Sequence, residues 1–274
     1  MTTMYIKNSL ILWQGLSLID AAPIAVVVTG LSGDSGNGKT GAMRQTFIIR
    51  TDMHPVDALA SGADESVCGN CPARPYLSSG AGAKKGACYV DVAKSVASVY
   101  RAMQRGRYRV AADEAEIEAA GADADNRGGT YGDPAAVPAW VWRAFWRRAA
   151  SRTGYTHAWR HPDPLVRANA AALRPYVMAS ADTPLQAQMA RAAGWRYFRV
   201  RAADGPLMDG EAVCPASAEA GKVADCQTCH ACDGAVPVAR RATSPSRVIV
   251  AHGALAARWR AMQAQLLADE ARAA

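Results

Sequence analysis

The sequence predicts an α/β fold, with a full or partial (β/α) barrel as the leading architecture and a doubly wound open sheet as the alternative. In the second half of the chain, short apolar runs alternate with helical patterns, which is typical of parallel βα units. The chain of 274 residues has room for roughly six to eight such strands. Hydrophobic residues make up 50% of the chain and charged residues 20%, a balance that favours one large core over disorder. We therefore predict a single domain over residues 1–274.

The N-terminal part, residues 1–60, is expected to contain strands and a β-hairpin. Residues Ser9–Trp13 form a first apolar run. The runs Ile24–Val28 and Thr46–Arg50 are rich in β-branched residues, and a glycine-rich loop separates them. That loop contains Asn37-Gly38, a dipeptide typical of tight hairpin turns. The two runs are therefore predicted to be the arms of a hairpin.

The rest of the chain is expected to divide into βα units and two cysteine-rich segments. Residues 61–90 predict a cysteine-rich loop, and residues 206–245 predict a cysteine-rich insertion. Residues 91–205 are assigned to βα units, with a polar loop at 121–138, and residues 246–274 to a final strand and helix. The expected strands are Tyr155–Trp159, Tyr176–Ala179, Arg196–Val200 and Val248–Ala251. The expected helices are Val90–Arg105, Trp140–Ser151, Leu165–Ala172, Pro184–Ala193 and Ala254–Ala271.

The stretch GDSGNGKT, from Gly33 to Thr40, matches the Walker A pattern of P-loop nucleotide triphosphatases. A P-loop needs a helix that begins at its Lys-Thr pair, so that backbone N–H groups face the phosphates. Here Gly41 follows at once, a strand-like run begins at Thr46, and no Walker B strand ending directly in a carboxylate is evident. The context therefore disfavours nucleotide hydrolysis and favours a hairpin tip, from which Lys39 would reach an anionic ligand.

The cysteines are the strongest chemical signal in the sequence. The seven cysteines form an early group, Cys68, Cys71 and Cys88, and a late group, Cys214, Cys226, Cys229 and Cys232. The run Cys-x-x-Cys-x-x-Cys in the late group is typical of iron–sulfur ligation, and its four thiolates would complete the ligands of a [4Fe–4S] cluster. The early group offers three thiolates, which would leave one iron open to a substrate or cofactor. Structural zinc is the alternative in both groups, with His54 as a fourth ligand for the early one.

The chain as a whole is similar to a family of phage and plasmid proteins with seven cysteines. The motifs that carry this resemblance are Lys39-Thr-Gly41 leading to Gln45-Thr46, Cys68-Gly-Asn-Cys71-Pro72, Cys88-Tyr89, Gly154-Tyr-Thr-His157-Ala-Trp159-Arg160, Met178-Ala-Ser180-Ala-Asp182, Gly194-Trp195-Arg196, Cys214-Pro-Ala-Ser217, Cys226-Gln-Thr-Cys229-His-Ala-Cys232 and His252-Gly253. They cover most of the chain, and the resemblance implies a phage or plasmid context without a particular activity.

The division into three early and four late cysteines on a barrel-like chain also resembles the radical S-adenosylmethionine enzymes that carry an auxiliary cluster. The resemblance implies that the early cysteines hold a [4Fe–4S] cluster whose open iron binds S-adenosylmethionine. It also implies a cofactor contact for Tyr89, because an aromatic residue commonly follows the last cysteine in that superfamily. The early spacing here, Cys-x₂-Cys-x₁₆-Cys, differs from the usual Cys-x₃-Cys-x₂-Cys and is similar to that of the carbon–phosphorus lyase.

Polar side chains follow the predicted parallel strands, where the ligands of a βα-barrel bind. These residues are His157, Arg160, Asp182, Arg201 and His252. Together they would form a pocket with acid–base capacity for a small anionic or nucleotide substrate. The alternative interpretation is that each is an ordinary solvated strand end.

Charge and hydropathy restrict the class of protein further. The formal net charge is +7 with a pI near 9.2, which is compatible with nucleic acid as a partner. The arginines are scattered and no block of like charges occurs, which favours an ordinary solvated surface instead. The N-terminus lacks the pattern of a signal peptide, and no run is long enough to span a bilayer, so we expect a cytoplasmic protein without a membrane partner. The function predicted is that of an iron–sulfur enzyme, and the alternative is a zinc-stabilised nucleic-acid-binding protein without catalysis. The sequence does not determine the oligomeric state.

Overall fold

The computed structural model describes residues 8–33, 38, 40–75, 86–234 and 244–273. Within them the chain has a mixed α/β fold, built on a nine-stranded and mostly parallel sheet. The strands are Ser9–Leu16 (β1), Pro23–Thr29 (β2), Arg44–Arg50 (β3), Asp125–Tyr131 (β4), Ser151–Thr156 (β5), Met178–Ala181 (β6), Tyr197–Arg201 (β7), Glu211–Val213 (β8) and Ser246–Val250 (β9). The α-helices are Pro55–Ser61 (α1), Glu65–Cys68 (α2), Ala97–Gln104 (α3), Glu114–Gly121 (α4), Ala139–Trp146 (α5), Pro164–Leu173 (α6), Pro184–Ala192 (α7), Cys226–Cys229 (α8) and Ala256–Ala273 (α9).

The predicted N-terminal hairpin is present. Strand β2 pairs antiparallel with β3, from Ile24 opposite Arg50 to Thr29 opposite Gln45, and β1 pairs antiparallel with the other edge of β2. Strand β3 begins shortly after Thr40, so residues 40–50 contain no helix that starts at the Lys-Thr pair. Asn37 of the predicted turn and Lys39 lie outside the described residues, whereas Gly38 lies within them.

From β3 onward every strand pairing in the sheet is parallel. The order across the sheet is β1-β2-β3-β4-β5-β6-β7-β9-β8, so consecutive strands are neighbours as far as β7. The expected class, α/β with parallel βα units, is therefore confirmed. No helix in the described ranges is long and apolar enough to cross a bilayer.

Helix α5 covers one face of the sheet with aromatic side chains. Trp142, Phe145 and Trp146 are all fully buried there, and Trp142 stacks on Trp146 with ring centroids 4.9 Å apart. A Cβ at Gly128 of β4 would lie 2.4 Å from the Trp146 ring, so glycine lets the helix approach the sheet. Trp142 and Trp146 thus serve the core, whereas Trp140 of the same helix is 40% exposed.

The predicted polar loop at 121–138 is wrong, because it contains strand β4 between β3 and β5. The strand reads Asp-Asn-Arg-Gly-Gly-Thr-Tyr and lacks apolar alternation. One face needs glycine beneath Trp146, and the other presents Arg127 to a cavity. The strand predicted at Tyr155–Trp159 runs instead from Ser151 to Thr156, because helix α5 ends earlier than its pattern indicates.

Candidate functional site

The early cysteines are brought together where the chain leaves helix α2. Cys68 is the last residue of that helix, and Gly69, with φ of 56°, turns the chain so that Cys71 follows beside it. Burial raises the pKa of Cys68 well above the usual range, and the charges of Cys71 and Cys88 raise it further. Burial, with the charge of Cys71 next, likewise raises the pKa of Cys88 to about 12. The three thiols therefore lie close enough to interact.

A buried arginine holds the early cysteine turn in place. Arg74 forms a two-pronged ion pair with Asp64, with nitrogen–oxygen distances of 2.8 and 3.0 Å. Its remaining N–H groups donate to the carbonyl oxygens of Gly62 and Gly69, at 2.6 and 2.8 Å. Both charged side chains are almost fully buried. One guanidinium thus fixes the backbone on both sides of Cys68.

Three of the predicted strand-end residues meet beside Cys71. His157 Nε2 lies 3.1 Å from Asp182 Oδ2, and Arg160 lies 3.5 Å from the same oxygen. Burial lowers the pKa of His157, but the charges of Cys71 and Asp182 outweigh burial and raise it well above the usual value. Burial also raises the pKa of Asp182, but His157 and Arg160 outweigh it, so the net shift is downward. The arrangement is an ion-paired cluster in contact with Cys71.

The C-terminal helix α9 anchors the loop that carries Asp182. Gln263 donates a hydrogen bond of 2.9 Å to the Asp182 carbonyl, and the Asp182 N–H donates to Gln186 at 3.0 Å. Glu270 accepts hydrogen bonds from Thr183 at 2.6 Å and from Gln186 at 3.1 Å. The carboxylate beside His157 therefore has a fixed position.

The late cysteines come from the segment between β8 and β9. Cys214 directly follows β8, and its N–H donates to the Val248 carbonyl at 2.8 Å. Cys226 and Cys229 are the first and last residues of the short helix α8, whose N-terminus Asp225 caps. The sequence thus places two thiols one helical turn apart and a third at the sheet edge.

Cys232 completes the late group. Its carbonyl oxygen accepts a hydrogen bond of 3.4 Å from Gly154 of β5, which ties the segment to the sheet. Burial raises the pKa of Cys232 to about 12, a hydrogen bond from Tyr155 lowers it, and the charges of the other three late cysteines raise it. Cys232 is therefore within electrostatic reach of each of the other three late thiols.

A second arginine holds the end of the late segment. Arg196 donates to the carbonyl oxygens of Ala231 and Gly234 at 2.6 and 2.9 Å, and its Nη1 lies 3.2 Å from Asp233. Gly234 has φ of 80°, and a Cβ there would lie 2.7 Å from the backbone of Tyr176. Each cysteine group is thus bordered by an arginine that binds loop carbonyls.

A cavity of about 520 Å³ lies between one face of the sheet and the late cysteines. The wall formed by the sheet includes Arg127, Tyr155, Phe198 and Arg247. All four late cysteines also line it, and on another side so do Tyr89, which follows Cys88, and His252. The rings of Tyr89 and His252 stack with centroids 5.5 Å apart. The cavity therefore extends from the late group to the residue next to the early group.

The end of the Walker A-like stretch reaches this region. Thr40 lines the cavity, and the Ala42 N–H donates a hydrogen bond of 2.9 Å to Gln227 of helix α8. A Cβ at Gly41 would lie 2.5 Å from the same Gln227 oxygen, so only glycine fits there. The hairpin tip thus contacts the late cysteine helix. Lys39 lies outside the described residues, and its predicted ligand contact stays a prediction.

The structure separates the polar strand-end residues that the sequence predicts to line one pocket. His157, Arg160 and Asp182 lie beside Cys71, whereas His252 lines the cavity. The prediction of one shared pocket is wrong for Arg201, because its guanidinium pairs with Glu219 and donates to three loop carbonyls.

The fourth zinc ligand proposed for the early group has another role. The ring of His54 accepts a hydrogen bond from the Val56 N–H at 3.3 Å and caps helix α1. It also packs edge-on against Tyr100, with centroids 5.2 Å apart. These contacts place His54 at a helix start with its Nδ1 engaged as the cap, and its role as a zinc ligand stays a prediction.

Sequence reasoning missed two residues of the site, both on strand β4. Tyr131 is buried near the early group, and burial followed by the charge of Cys68 raises its pKa well above the usual value. Arg127 lies on the cavity wall. Their strand has no apolar alternation, so the pattern gave no signal that it was part of the sheet.

All seven cysteines are free thiols. In the described part of the chain, no three or more His, Cys, Asp or Glu side chains are grouped so as to hold a metal ion. The all-thiolate donor sets nevertheless have the chemistry of iron–sulfur ligation. Comparisons of the chain with protein-family models, curated proteins and solved structures give no match, so its function is inferred from its own residues.

Proposed function

We propose that the chain is an iron–sulfur protein, and specifically an enzyme similar to the radical S-adenosylmethionine superfamily. The observation that carries the proposal is that the chain brings together two separate groups of thiols, one of three and one of four, and that a cavity lined by the late group reaches Tyr89, next to Cys88. A cluster has several metal ions and spreads its ligands over more space than a single zinc ion does. The run Cys226-x-x-Cys229-x-x-Cys232 supports a cluster over a single zinc ion in the late group.

In this proposal the early group, Cys68, Cys71 and Cys88, holds a [4Fe–4S] cluster with one open iron. Such a cluster supplies single electrons and a coordination site for S-adenosylmethionine. The chain's own contribution is the ion-paired cluster of His157, Asp182 and Arg160 beside Cys71. These side chains would bind the polar part of a substrate or cofactor and keep a proton on His157.

The late group would hold a second, fully ligated [4Fe–4S] cluster. Four thiolates saturate the cluster, so its role would be electron transfer or substrate orientation. Helix α8 and the Arg196 contacts fix three of the four ligands relative to the sheet. The sheet thus positions the late cluster without opening a coordination site.

For the architecture we propose a partial barrel. Strands β3 to β7 follow one another across the sheet without the reversal of order that defines a doubly wound fold. Tyr155 of β5 and Phe198 of β7 contact each other across β6, with ring centroids 4.9 Å apart. A contact between non-neighbouring strands on the cavity face is compatible with inward curvature.

Anaerobic purification tests the proposal. We expect a brown protein with absorbance near ~400 nm that bleaches on reduction with dithionite, because cysteine-ligated clusters behave in this way. The reduced protein with S-adenosylmethionine should release methionine and 5′-deoxyadenosine, and C71A should abolish that release. A colourless protein that contains zinc and binds DNA in a salt-dependent manner would overturn the proposal in favour of the nucleic-acid-binding alternative.

One observation favours a second candidate function. Cys71, His157 and Asp182 form a chain of nucleophile, base and orienting carboxylate, the arrangement of cysteine hydrolases and transferases. In that case Cys71 would be a reactive thiolate in the metal-free protein, and H157A would slow its alkylation by iodoacetamide. If Cys71 instead ligates iron, alkylation of the protein as purified should be blocked and should require removal of the iron.

A further inference from the structure

Two arginines on the cavity wall have unsatisfied donors. Arg127 on β4 and Arg247 on β9 both line the cavity, and the buried Nε of each has no hydrogen-bond partner among the described residues. The Nε atoms themselves have almost no accessible surface, so an anion in the cavity would be bound by the Nη groups of these partly exposed side chains.

The carboxylates on the cavity wall are already engaged. Asp225 accepts hydrogen bonds from Thr228 as the cap of helix α8. Asp91 lies 3.5 Å from Lys94 and accepts a hydrogen bond from Ala93. Among the described residues that line the cavity, the carboxylates thus have other partners than Arg127 and Arg247, and the two arginines give the wall positive charge.

The space between the two arginines is aromatic. Phe198 lies directly opposite Arg247 in the sheet register, and Thr153 lies opposite Arg127. Tyr155 and Phe198 pack together between these positions. The Tyr89–His252 stack lines another part of the cavity. A planar ring has flat apolar partners here, and an anionic group attached to it would reach a guanidinium.

We propose that the cavity binds a small ring-bearing phosphate of mononucleotide size, with Arg127 and Arg247 as its anion-binding residues. The inference rests on the proposed function, since it names the substrate class for the same enzyme. A volume of about 520 Å³ lies within the usual range for sites of small ligands, and the late cluster on the four lining cysteines would take up part of it. Phosphate is favoured because a guanidinium group offers several N–H donors to an anion with three acceptor oxygens, and one guanidinium lies on each side of the aromatic pair Tyr155 and Phe198.

The competing role for the two arginines is to offset the negative charge of the late cluster. That role predicts that R127Q and R247Q lose iron, whereas the ligand role predicts that both variants keep it. Iron content and ligand affinity must therefore be measured on the same preparations.

Calorimetric titration of the anaerobically purified protein provides the test, with AMP, adenosine and inorganic phosphate as probes. We expect AMP to bind at least tenfold more tightly than either fragment. R127Q and R247Q should each weaken AMP binding by about 10- to 100-fold at unchanged iron content, which is the range for a lost hydrogen bond to a charged group. R107Q, which removes an exposed arginine, is the matched control and should bind AMP like the wild type.

Equal affinity of the variants for AMP, or loss of iron from both, would overturn the inference. Wild-type protein that does not prefer AMP over phosphate and adenosine would also overturn it, even if the variants fail to fold. Arginine-dependent AMP binding by a protein without iron would support the ligand site and would contradict the iron–sulfur proposal.

Discussion

At the level of the residue, each of the two cysteine groups is held in place by one arginine. Arg74 joins the backbone before and after Cys68, and Arg196 joins the backbone around Asp233. Both arginines are largely buried, and each donates hydrogen bonds to backbone carbonyl oxygens inside the loop that it supports. Cysteine ligands need such support, because a metal site requires its donors at fixed positions.

Replacing Arg74 with methionine should strongly destabilise the protein. The change leaves Asp64 as an unpaired charge with 1% side-chain exposure, and breaking a buried pair in this way costs about 3–5 kcal/mol. Urea unfolding of the anaerobic protein measures the loss. R105M at an exposed position is the control, and a similarly small effect for both variants would show that the Arg74 contacts do not hold the turn.

The Arg199–Glu211 pair predicts a loss of stability in acid. Burial raises the pKa of Glu211, but hydrogen bonds from Arg199 and from the Met208 N–H outweigh burial and lower the pKa below its usual 4.5. The unfolded chain therefore takes up the proton first, and the stabilisation is present above pH 4.5 and lost as the pH falls through the folded pKa.

Thermal unfolding between neutral and acidic pH measures this contribution. E211Q should be less stable than the wild type at neutral pH, because Arg199 stays buried without its carboxylate. Its stability should also fall less steeply in acid. D204N, with the same change at an exposed carboxylate, should keep the wild-type profile, and an E211Q profile parallel to it would contradict the assignment.

At the level of elements, strands with simple apolar patterns could be predicted from the sequence. Strand β2 is a continuous buried run, and its hairpin with β3 follows from the glycine-rich loop between them. Strand β4 could not be predicted, because its sequence lacks the apolar alternation of a strand. Its side chains line a cavity on one face, and its glycine lets a helix pack closely on the other. Helix α5 was predicted too long, since nothing in its sequence marks the early end at Trp146.

Two glycines in the late cysteine segment allow a matched test of its docking on the sheet. Both have positive φ, but a Cβ at Gly234 meets the Pro175–Tyr176 backbone at 2.7 Å, whereas a Cβ at Gly221 meets nothing within 4 Å. G221A should cost about 1–2 kcal/mol from backbone strain alone. G234A should cost about 1–3 kcal/mol more, because the added methyl group forces the segment off the sheet.

Chemical denaturation gives both values, and iron content reports on the late site. We expect G234A to lose iron and G221A to retain it. Equal costs for the two substitutions would mean that the end of the late segment does not dock as the structure has it.

At the level of the whole molecule, the sequence predicts the two cysteine groups but not the cavity beside the late group. The spacing of the late cysteines predicts a ligand set, and the structure brings its members within electrostatic reach. In place of the single pocket that the sequence predicts, the structure has two sites, an ion-paired cluster at Cys71 and a separate cavity. Sequence reasoning could not make this division, because it depends on how the sheet and the two cysteine segments pack.

Iron and acid-labile sulfide counted in anaerobically purified protein test the central claim most directly. We expect about eight of each per chain in the wild type, and about four in each of two variants, C68A/C71A/C88A and C226A/C229A/C232A, because each group would hold one [4Fe–4S] cluster. Wild-type protein that contains zinc in place of iron, or no metal at all, would contradict the account.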